Sequence, residues 1–380
     1  MTGDPGAIEI VPVNTTAELE AFIRLPMRLN AKDPAWISPL LMERREALSP
    51  RHNPVFEHLE AQFWLARRDG RDVGRISAQI DALAPTDPAA PAGYFGMIAA
   101  EDDPEVFAAL FATAEAWLKA RSRAVAMGPF NLSINEETGL LVDGFDTPPM
   151  LLMGHDPPYA GPRIEALGYA KAKDMFAYIS GEPNFSPAVK ARLAKPLGRG
   201  VRLRPLDTRR YDEQVHALVE IYNDAWSGNW GFTPLTEAET RHLGKSLKPI
   251  LEKRLIWFLD IEGEPAAFGV ILPNVNEAIR DLDGRLLPFG WAKLLWRLKV
   301  RGVRTGRMPL MGVKRKFAAD PRGIMAPFQI VDRMHQEGLR LGWEAVETSW
   351  ILEDNRPMRH IVEAVGARQY KTYRVYQKLL

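Results

Sequence analysis

The sequence predicts an α+β (α/β layered) protein in which one domain architecture is used twice. The chain has 380 residues, about twice the length of an ordinary domain. Its two halves also share a motif, because residues 164–173 read IEALGYAKAK and residues 362–371 read VEAVGARQYK. Predicted strands and helices follow the same order around this motif in both halves, which makes an internal duplication a better explanation than chance similarity.

Each half is predicted to contain a β-hairpin early in its sheet. Residues 63–80 and 255–272 are rich in apolar, strand-forming residues, interrupted by Asp69-Gly70 in the first half and Glu262-Gly263 in the second. A two-residue hairpin turn needs left-handed backbone, which glycine adopts without strain. We therefore expect two antiparallel strands on either side of each turn.

An amphipathic helix and a short strand are predicted to follow in each half. The strands fall near residues 124–126 and 345–347, with Asn135 and Asn355 beyond them. The apolar faces of the two helices, spaced at the helical period, consist of Phe107, Leu110, Phe111, Ala114, Trp117 and Leu118, and of Ile324, Phe328, Val331, Met334 and Leu341.

This order of elements predicts, in each half, a mixed and mostly antiparallel sheet flanked by helices. A stretch rich in proline, glycine and basic residues marks the seam between the halves. We predict an N-terminal domain over residues 1–185, a linker over 186–200 and a C-terminal domain over 201–380.

Composition excludes several classes of protein. The chain has no cysteine, so disulfide scaffolds, thiolate metal sites and cysteine nucleophiles are ruled out. Its seven histidines show no ligand spacing, and no metal is expected. A formal charge of +1 argues against nucleic-acid binding. The N-terminus lacks a secretory signal and no stretch is apolar enough to span a membrane, which predicts a cytoplasmic protein and leaves peripheral membrane contact open.

One segment departs from this neutral average. Residues 284–319 contain ten basic side chains and no aspartate or glutamate. Within the predicted insertion 284–307, the segment 286–304 is predicted to contain a helix that begins at Pro288 and has an apolar face and a basic face. We predict that it docks on the inner membrane surface, the alternative being a helix packed on the protein with solvated charges. Its predicted contact residues are Trp291, Leu295, Arg297, Arg301 and Arg304.

Several segments together identify a family. Residues 128–150 read GPFNLSINEETGLLVDGFDTPPM, and residues 222–236 read YNDAWSGNWGFTPLT. With residues 308–325 and 347–376, they resemble tandem GNAT-superfamily acyltransferases, and are similar to the bacterial ceramide synthase family. The resemblance implies that acyl-CoA donates a fatty acyl group directly to the amine of a long-chain sphingoid base, without an acyl-enzyme.

The resemblance also implies a donor site in the C-terminal half. A β-bulge late in the third long strand would expose backbone N–H groups to the thioester carbonyl, and the next helix would bind the pyrophosphate. The signature loop departs from the family at Asp320, which is acidic, and at Met325, which is bulky. Asp320 would repel a pyrophosphate, and Arg322 and the basic residues 314–316 are the groups that would compensate. The implied donor-binding residues are Met311, Gly312, Val313, Arg322, Gly323, Ile324 and Asn355.

At the equivalent place in the N-terminal half, residues 101–104 carry three carboxylates. These would repel phosphate, so this half is expected to have lost the donor site and to shape the acceptor pocket instead.

Catalytic and acceptor residues are predicted more loosely. Amine acylation needs a base, and Glu347 and Glu353 are candidates, although the residues after 352 equally suit a helix N-cap. Tyr373 is the candidate proton donor on the terminal strand. The residues expected to bind the acceptor are Asn229, Trp230, Phe232, Asn131 and Asn135. The alternative is that the first three belong to a packed helix end and that the two asparagines belong to a turn network.

Two other functions are consistent with the sequence. Degenerate CoA loops in both halves would leave a lipid-binding or scaffolding protein without catalysis. Alternatively, the same fold would acylate a different amine, such as a peptide or a polyamine.

Overall fold

A computed structural model describes residues 6–181 and 185–380. The first five residues of the predicted N-terminal domain, and residues 182–184 close to its predicted end, lie outside the described residues. The chain forms two compact units. Unit 1 comprises Met1–Asp174, Ile279–Leu286 and Lys371–Leu380, and unit 2 comprises Met175–Ala278 and Leu287–Tyr370. The domain boundaries at 185 and 201 stay a prediction.

The first half of the chain forms nine strands and four helices within its described residues. The strands are β1 (Ile8–Pro12), β2 (Leu59–Arg68), β3 (Arg71–Asp81), β4 (Ala92–Ala100), β5 (Val125–Gly128), β6 (Phe130–Asn131), β7 (Glu137–Thr138), β8 (Leu140–Asp143) and β9 (Ala170–Ser180). The helices are α1 (Thr16–Leu29), α2 (Leu41–Ala47), α3 (Pro104–Lys119) and α4 (Ala160–Ala166).

The second half repeats the main order of these elements, with additional helices before its first strand and before its third long strand. Its helices are α5 (Pro187–Leu193), α6 (Tyr211–Trp226), α7 (Glu237–Leu247), α8 (Val275–Ile279), α9 (Gly290–Trp296), α10 (Pro321–Arg340) and α11 (Arg356–Ala364). Its strands are β10 (Val201–Pro205), β11 (Ile256–Ile261), β12 (Glu264–Pro273), β13 (Thr305–Val313), β14 (Ala345–Leu352) and β15 (Arg368–Leu379).

Both units contain a mixed sheet, which confirms the predicted fold class. In unit 1 the strand order is β1-β2-β3-β4-β5-β15, and in unit 2 it is β9-β14-β13-β12-β11-β10. Within each sheet one internal pair is parallel, β4 with β5 and β13 with β14, and the other registered pairs are antiparallel. The final strand of each half is divided between units, since β9 enters unit 2 at Met175 and β15 enters unit 1 at Lys371.

Both hairpins form as predicted. Asp69 and Gly70 connect β2 to β3 with φ angles of 50° and 74°, and Glu262 and Gly263 connect β11 to β12 with 51° and 82°. Because both turn residues have positive φ, the turns match the right-handed twist of the strands they join.

Helices cover both faces of the unit 1 sheet. Trp64 and Ala66 pack in the cluster that contains α3, whereas Leu65 packs in the cluster that contains α1. Alternate residues of a strand point to opposite faces, so α1 and α3 lie on opposite sides. The predicted apolar face of α3 is confirmed, since Phe107, Leu110 and Phe111 are fully buried.

The predicted face of α10 in unit 2 was partly wrong. Its buried side consists of Ala326, Ile330 and Met334, which pack against β11 and β12. Ile324, placed on the buried face by the sequence, is 54% exposed. The apolar residues of this helix occur on more than one side, and the side that packs on the sheet is the one that carries Ala326, Ile330 and Met334.

The cationic insertion also differs from its prediction. The helix begins at Gly290 after the N-cap Phe289, two residues later than predicted, and α9 ends at Trp296 before a π-helical turn, Arg297–Arg301. Leu294 and Leu298 pack on the unit 2 core. The exposed apolar residues of the segment are Leu287, Phe289, Trp291, Leu295, Trp296 and Val300.

Candidate active site

The third long strand of each unit carries a β-bulge. In unit 1, β4 places Met97 and Ile98 opposite the single residue Ile76, and Met97 has a φ of 49°. In unit 2, β13 places Met308 and Pro309 opposite the single residue Ile271. The predicted bulge at Met311-Gly312-Val313 was therefore three residues late, since those residues pair regularly with β12.

Protein atoms fill the bulge opening of unit 1. The Met97 amide donates to Asn131 Oδ1 at 2.7 Å, and the Asn131 amide group donates to Glu137 at 3.0 Å. The Phe130 carbonyl lies so close to Gly96 that an added Cβ would approach it to 1.8 Å. In the same turn, the Asn135 amide donates to Ser133 Oγ at 3.2 Å. These contacts support the turn-network alternative, while head-group binding by Asn131 and Asn135 stays a prediction.

In unit 2 the corresponding strands diverge around a cavity. The parallel register of β13 and β14 ends at Met308–Thr348, and beyond it lies a cavity of about 290 Å³. Five of the predicted donor and acceptor residues line it: Met311, Gly312, Val313, Asn355 and Asn229. The other lining residues are Ala225, Trp226, Met308, Pro309, Pro327, Thr348, Ser349, Trp350, Ile351, Leu352, Pro357, Met358 and Ile361.

Aromatic rings form one wall of this cavity. Trp226, at the end of α6, donates its indole N–H to the Met311 carbonyl at 3.0 Å and stands 6.2 Å from the Trp350 ring. The ring centroids of Tyr222 and Trp226 are 4.9 Å apart, and those of Tyr222 and Phe232 are 5.8 Å apart. Phe232 is thus packed against α6.

The two other predicted residues of this loop differ in position. Asn229 lines the cavity, whereas Trp230 is half-buried without lining it. Their role in binding an acceptor stays a prediction.

A buried polar cluster adjoins the cavity. Glu347 on β14 is fully buried. Its carboxylate accepts hydrogen bonds from the hydroxyls of Ser349 and Tyr370, and lies 3.6 Å from Arg307 Nε. Arg307 Nε also donates to Ser349 Oγ at 2.8 Å. Ser349 lines the cavity, so its hydroxyl connects the cavity wall to the carboxylate.

The sequence pointed to Glu347 but missed its partners. Arg307 was counted with the cationic segment, yet it is buried in this cluster. Ser349 lies two residues after Glu347 on the same strand, and side chains two apart share a face, so the strand period was the available signal. Tyr370 lies on β15, three residues before Tyr373, the tyrosine that the sequence analysis selected.

The remaining catalytic candidates lie elsewhere. Glu353 is half-buried in the loop after β14, and its backbone carbonyl accepts from Arg359 at 3.0 Å. Tyr373 is fully buried in unit 1, where its hydroxyl donates to the Gly154 carbonyl at 3.2 Å. Asn355 is the N-cap of α11, with its side chain accepting from the Met358 amide at 3.2 Å.

Carboxylates surround the start of α10. Asp320 is its N-cap and accepts from the Arg322 amide at 2.8 Å. The Arg322 guanidinium, which also pairs with Glu262 at 2.6 Å, holds the pKa of Asp320 below its usual value. Gly323 leaves no space for a side chain, because a Cβ there would lie 1.9 Å from the Phe317 carbonyl.

No helix among the described residues is both long and apolar enough to cross a membrane.

Comparison with known proteins agrees with this architecture. No family model matches the chain. Among solved structures, a tandem GNAT protein of the clavulanic acid biosynthesis pathway aligns with a TM-score of 0.57 at 15% identity, covering 98% of both chains. A glucosamine N-acetyltransferase region of a fungal β-N-acetylglucosaminidase gives a TM-score of 0.58 at 13% identity, covering 99% of this chain and 38% of that one.

The chain thus has the tandem GNAT fold, with a cavity where the strands of unit 2 diverge. Among curated proteins, the chain is 61% identical to the bacterial ceramide synthase of Caulobacter vibrioides over 98% of both sequences. It is 46% identical to protein YghO of Escherichia coli over 95% of this chain and 93% of that protein. The chain belongs to the bacterial ceramide synthase family, and it is an acyltransferase.

Proposed function

We propose that unit 2 transfers a fatty acyl group from acyl-CoA to the amine of a long-chain sphingoid base. The observation that carries this proposal is the apolar cavity at the diverging strands, adjoined by a buried carboxylate whose Ser349 partner lines the cavity wall. The name of the Caulobacter relative supports the choice of acceptor. In the reaction the C–N bond of the amide forms, the C–S bond of the thioester breaks and CoA thiol leaves.

The bulge of β13 is the proposed position of the thioester carbonyl. In unit 1 the corresponding N–H, that of Met97, binds an amide oxygen supplied by Asn131. Met308 holds the equivalent bulge position in unit 2 and lines the cavity. A backbone donor directed at a carbonyl oxygen stabilises the negative charge that develops there during amine attack.

Glu347 is the proposed base. Because it is fully buried, it cannot contact the amine directly, and Ser349 is the group between it and the cavity. Ser349 Oγ takes a proton from the amine as its own proton passes to Glu347. Arg307 positions Ser349, since it donates to both Ser349 Oγ at 2.8 Å and the Ser349 carbonyl at 3.1 Å. The hydroxyl of Tyr370 holds the second carboxylate oxygen.

The donor arm is proposed to lie along Met311-Gly312-Val313 and Asn355, which line the cavity. A pyrophosphate at Arg322, Gly323 and Ile324 would have to displace the carboxylates that now pair with Arg322.

We further propose that the segment 287–301 docks on the cytoplasmic face of an anionic membrane. Exposed apolar rings such as Phe289, Trp291 and Trp296 stand beside the exposed cations Lys299 and Arg301. Interfacial aromatic residues with basic neighbours favour the surface of an anionic leaflet, where each basic residue contributes about 1 kcal/mol.

The structure changes which basic residues should matter for docking. Arg297 donates to the Ala278 carbonyl at 2.7 Å, and Arg304 pairs with Glu344. Charge reversal at Lys299 and Arg301 is therefore expected to weaken binding to anionic liposomes about tenfold or more, and to leave the weak binding to neutral liposomes unchanged. Co-sedimentation with liposomes measures the binding, and Arg241→Glu on α7 is the control. An equal loss of liposome binding in both variants would contradict docking through the segment 287–301.

The proposed reaction is tested by incubating the protein with palmitoyl-CoA and sphinganine. We expect free thiol and N-acyl sphinganine in equal amounts, measured by thiol titration and mass spectrometry, and no thiol release without the amine. Amide formed with a peptide or polyamine, and none with sphinganine, would contradict the proposed acceptor and favour another amine.

A further inference from the structure

We propose that Arg315 binds a phosphate group of the CoA donor at the rim of the unit 2 cavity. The proposal rests on acyl-CoA being the donor of the proposed function. The sequence left four cations near the start of α10 as candidates for this task, and the structure distinguishes among them.

Three of these cations already have carboxylate partners. Lys314 Nζ contacts Glu220 at 2.6 Å and Glu264 at 3.0 Å, and Lys316 Nζ contacts Glu264 at 2.5 Å. Arg322 pairs with Asp320 at 2.8 Å and with Glu262 at 2.6 Å. A phosphate that approaches these groups meets their carboxylates as well, so its attraction to the cations is offset by repulsion.

Arg315 differs from them. Its side chain is exposed, and its guanidinium has no ion-pair partner among the residues that the structure describes. Its backbone is nevertheless fixed, because the Arg315 amide donates to Asp224 Oδ2 at 2.6 Å. The guanidinium is thus available to a ligand on an anchored segment of chain.

One contact and the course of the chain place this guanidinium beside the cavity. A Cβ built on Gly228 would lie 2.7 Å from a terminal nitrogen of Arg315, so the guanidinium packs over that glycine. Gly228 stands between Trp226 and Asn229, which both line the cavity, and Arg315 itself follows the lining residue Val313 by two positions. The cation therefore lies at the rim, where a phosphate joined to a pantetheine arm inside the cavity would emerge.

Guanidinium chemistry suits this task. A guanidinium presents parallel N–H donors that match two oxygens of a phosphate, and it stays charged at every working pH. The absence of a side chain at Gly228 lets the planar group lie against the backbone.

The test compares two donors that share an acyl group and differ in phosphate content. Palmitoyl-CoA carries phosphates, whereas the palmitoyl thioester of N-acetylcysteamine carries the thioester end alone. For Arg315→Gln we expect the KM for palmitoyl-CoA to rise tenfold or more, with no change in turnover of the N-acetylcysteamine thioester. The salt dependence of the KM for palmitoyl-CoA should also become weaker.

Two matched variants serve as comparisons. Lys316→Gln removes a neighbouring cation that Glu264 already engages, so its KM for palmitoyl-CoA should rise less than threefold. Arg241→Gln removes an exposed cation paired with Glu237 on α7 and controls for the general loss of positive charge.

Calorimetry of CoA binding, without any acceptor, separates this inference from the proposed function. Weaker CoA binding by Arg315→Gln supports the inference even if the protein forms no amide with sphinganine. Unchanged CoA affinity in Arg315→Gln overturns it, and so does a wild-type protein that uses both thioesters with equal KM.

Discussion

Replacing Glu347 with glutamine is expected to lower kcat for amide formation by about 100-fold to 10,000-fold, the range that a general base contributes. Glutamine has the same size, and its amide oxygen still accepts a hydrogen bond from Ser349 or Tyr370. It cannot accept a proton from the amine through Ser349. The rate of N-acyl sphinganine formation at saturating donor and acceptor measures the effect.

A loss of folding has to be separated from a loss of the base. The substitution leaves the buried Arg307 without its carboxylate, and breaking a buried ion pair costs about 3–5 kcal/mol of stability. Binding of palmitoyl-CoA reports whether the cavity of the variant is intact. Glu353→Gln is the matched control, because Glu353 lies on the loop at the end of the same strand, and its kcat should change less than threefold. A folded Glu347→Gln protein with wild-type kcat would show that this carboxylate has a structural role alone.

Replacing Lys371 with methionine is expected to reduce the free energy of unfolding by about 3 kcal/mol. Lys371 is fully buried in unit 1, where its ammonium group donates to the carbonyls of Gly144 at 2.6 Å and Thr147 at 2.7 Å. Methionine fills much of the same space but donates no hydrogen bond, and each buried acceptor left unpaired costs about 1–3 kcal/mol.

The duplication within the chain supplies the control for this variant. Lys173, the residue that aligns with Lys371 in the shared motif, is half-buried, so Lys173→Met should cost less than about 1 kcal/mol. Calorimetric melting measures both variants. Hydrogen exchange locates the effect, with faster exchange of residues 144–147 and 372–379 in Lys371→Met. Equal melting temperatures for the two variants would contradict a structural role for the buried ammonium.

Local features of the fold were predictable because short segments determine them. Asp69-Gly70 and Glu262-Gly263 specify their turns, since few other residue pairs tolerate two consecutive positive φ angles. A helix N-cap after residue 352 was likewise predictable, and the structure places it at Asn355, whose side chain accepts from a backbone amide three residues away. Interactions of this range need no knowledge of the rest of the chain.

The candidate site was predictable only in part. Glu347 and the lining residues Met311-Gly312-Val313 were identified from the resemblance, and the geometry places them in or beside one cavity. The position of the bulge was not predicted correctly, because it depends on which residue of β12 lies opposite each residue of β13. The burial of Arg307 against Glu347 depends on the parallel register of β13 and β14, which pairs these two residues directly.

The sequence by itself determined the fold class, the duplication, the hairpins and the family, because these follow from local patterns and from similarity along the whole chain. The tertiary structure decided which of the two bulges is open, which cations near α10 are already paired, and which compact unit contains each terminal strand. These outcomes depend on contacts between residues far apart in sequence. A charge or a strand in isolation carries no information about the partner it will meet.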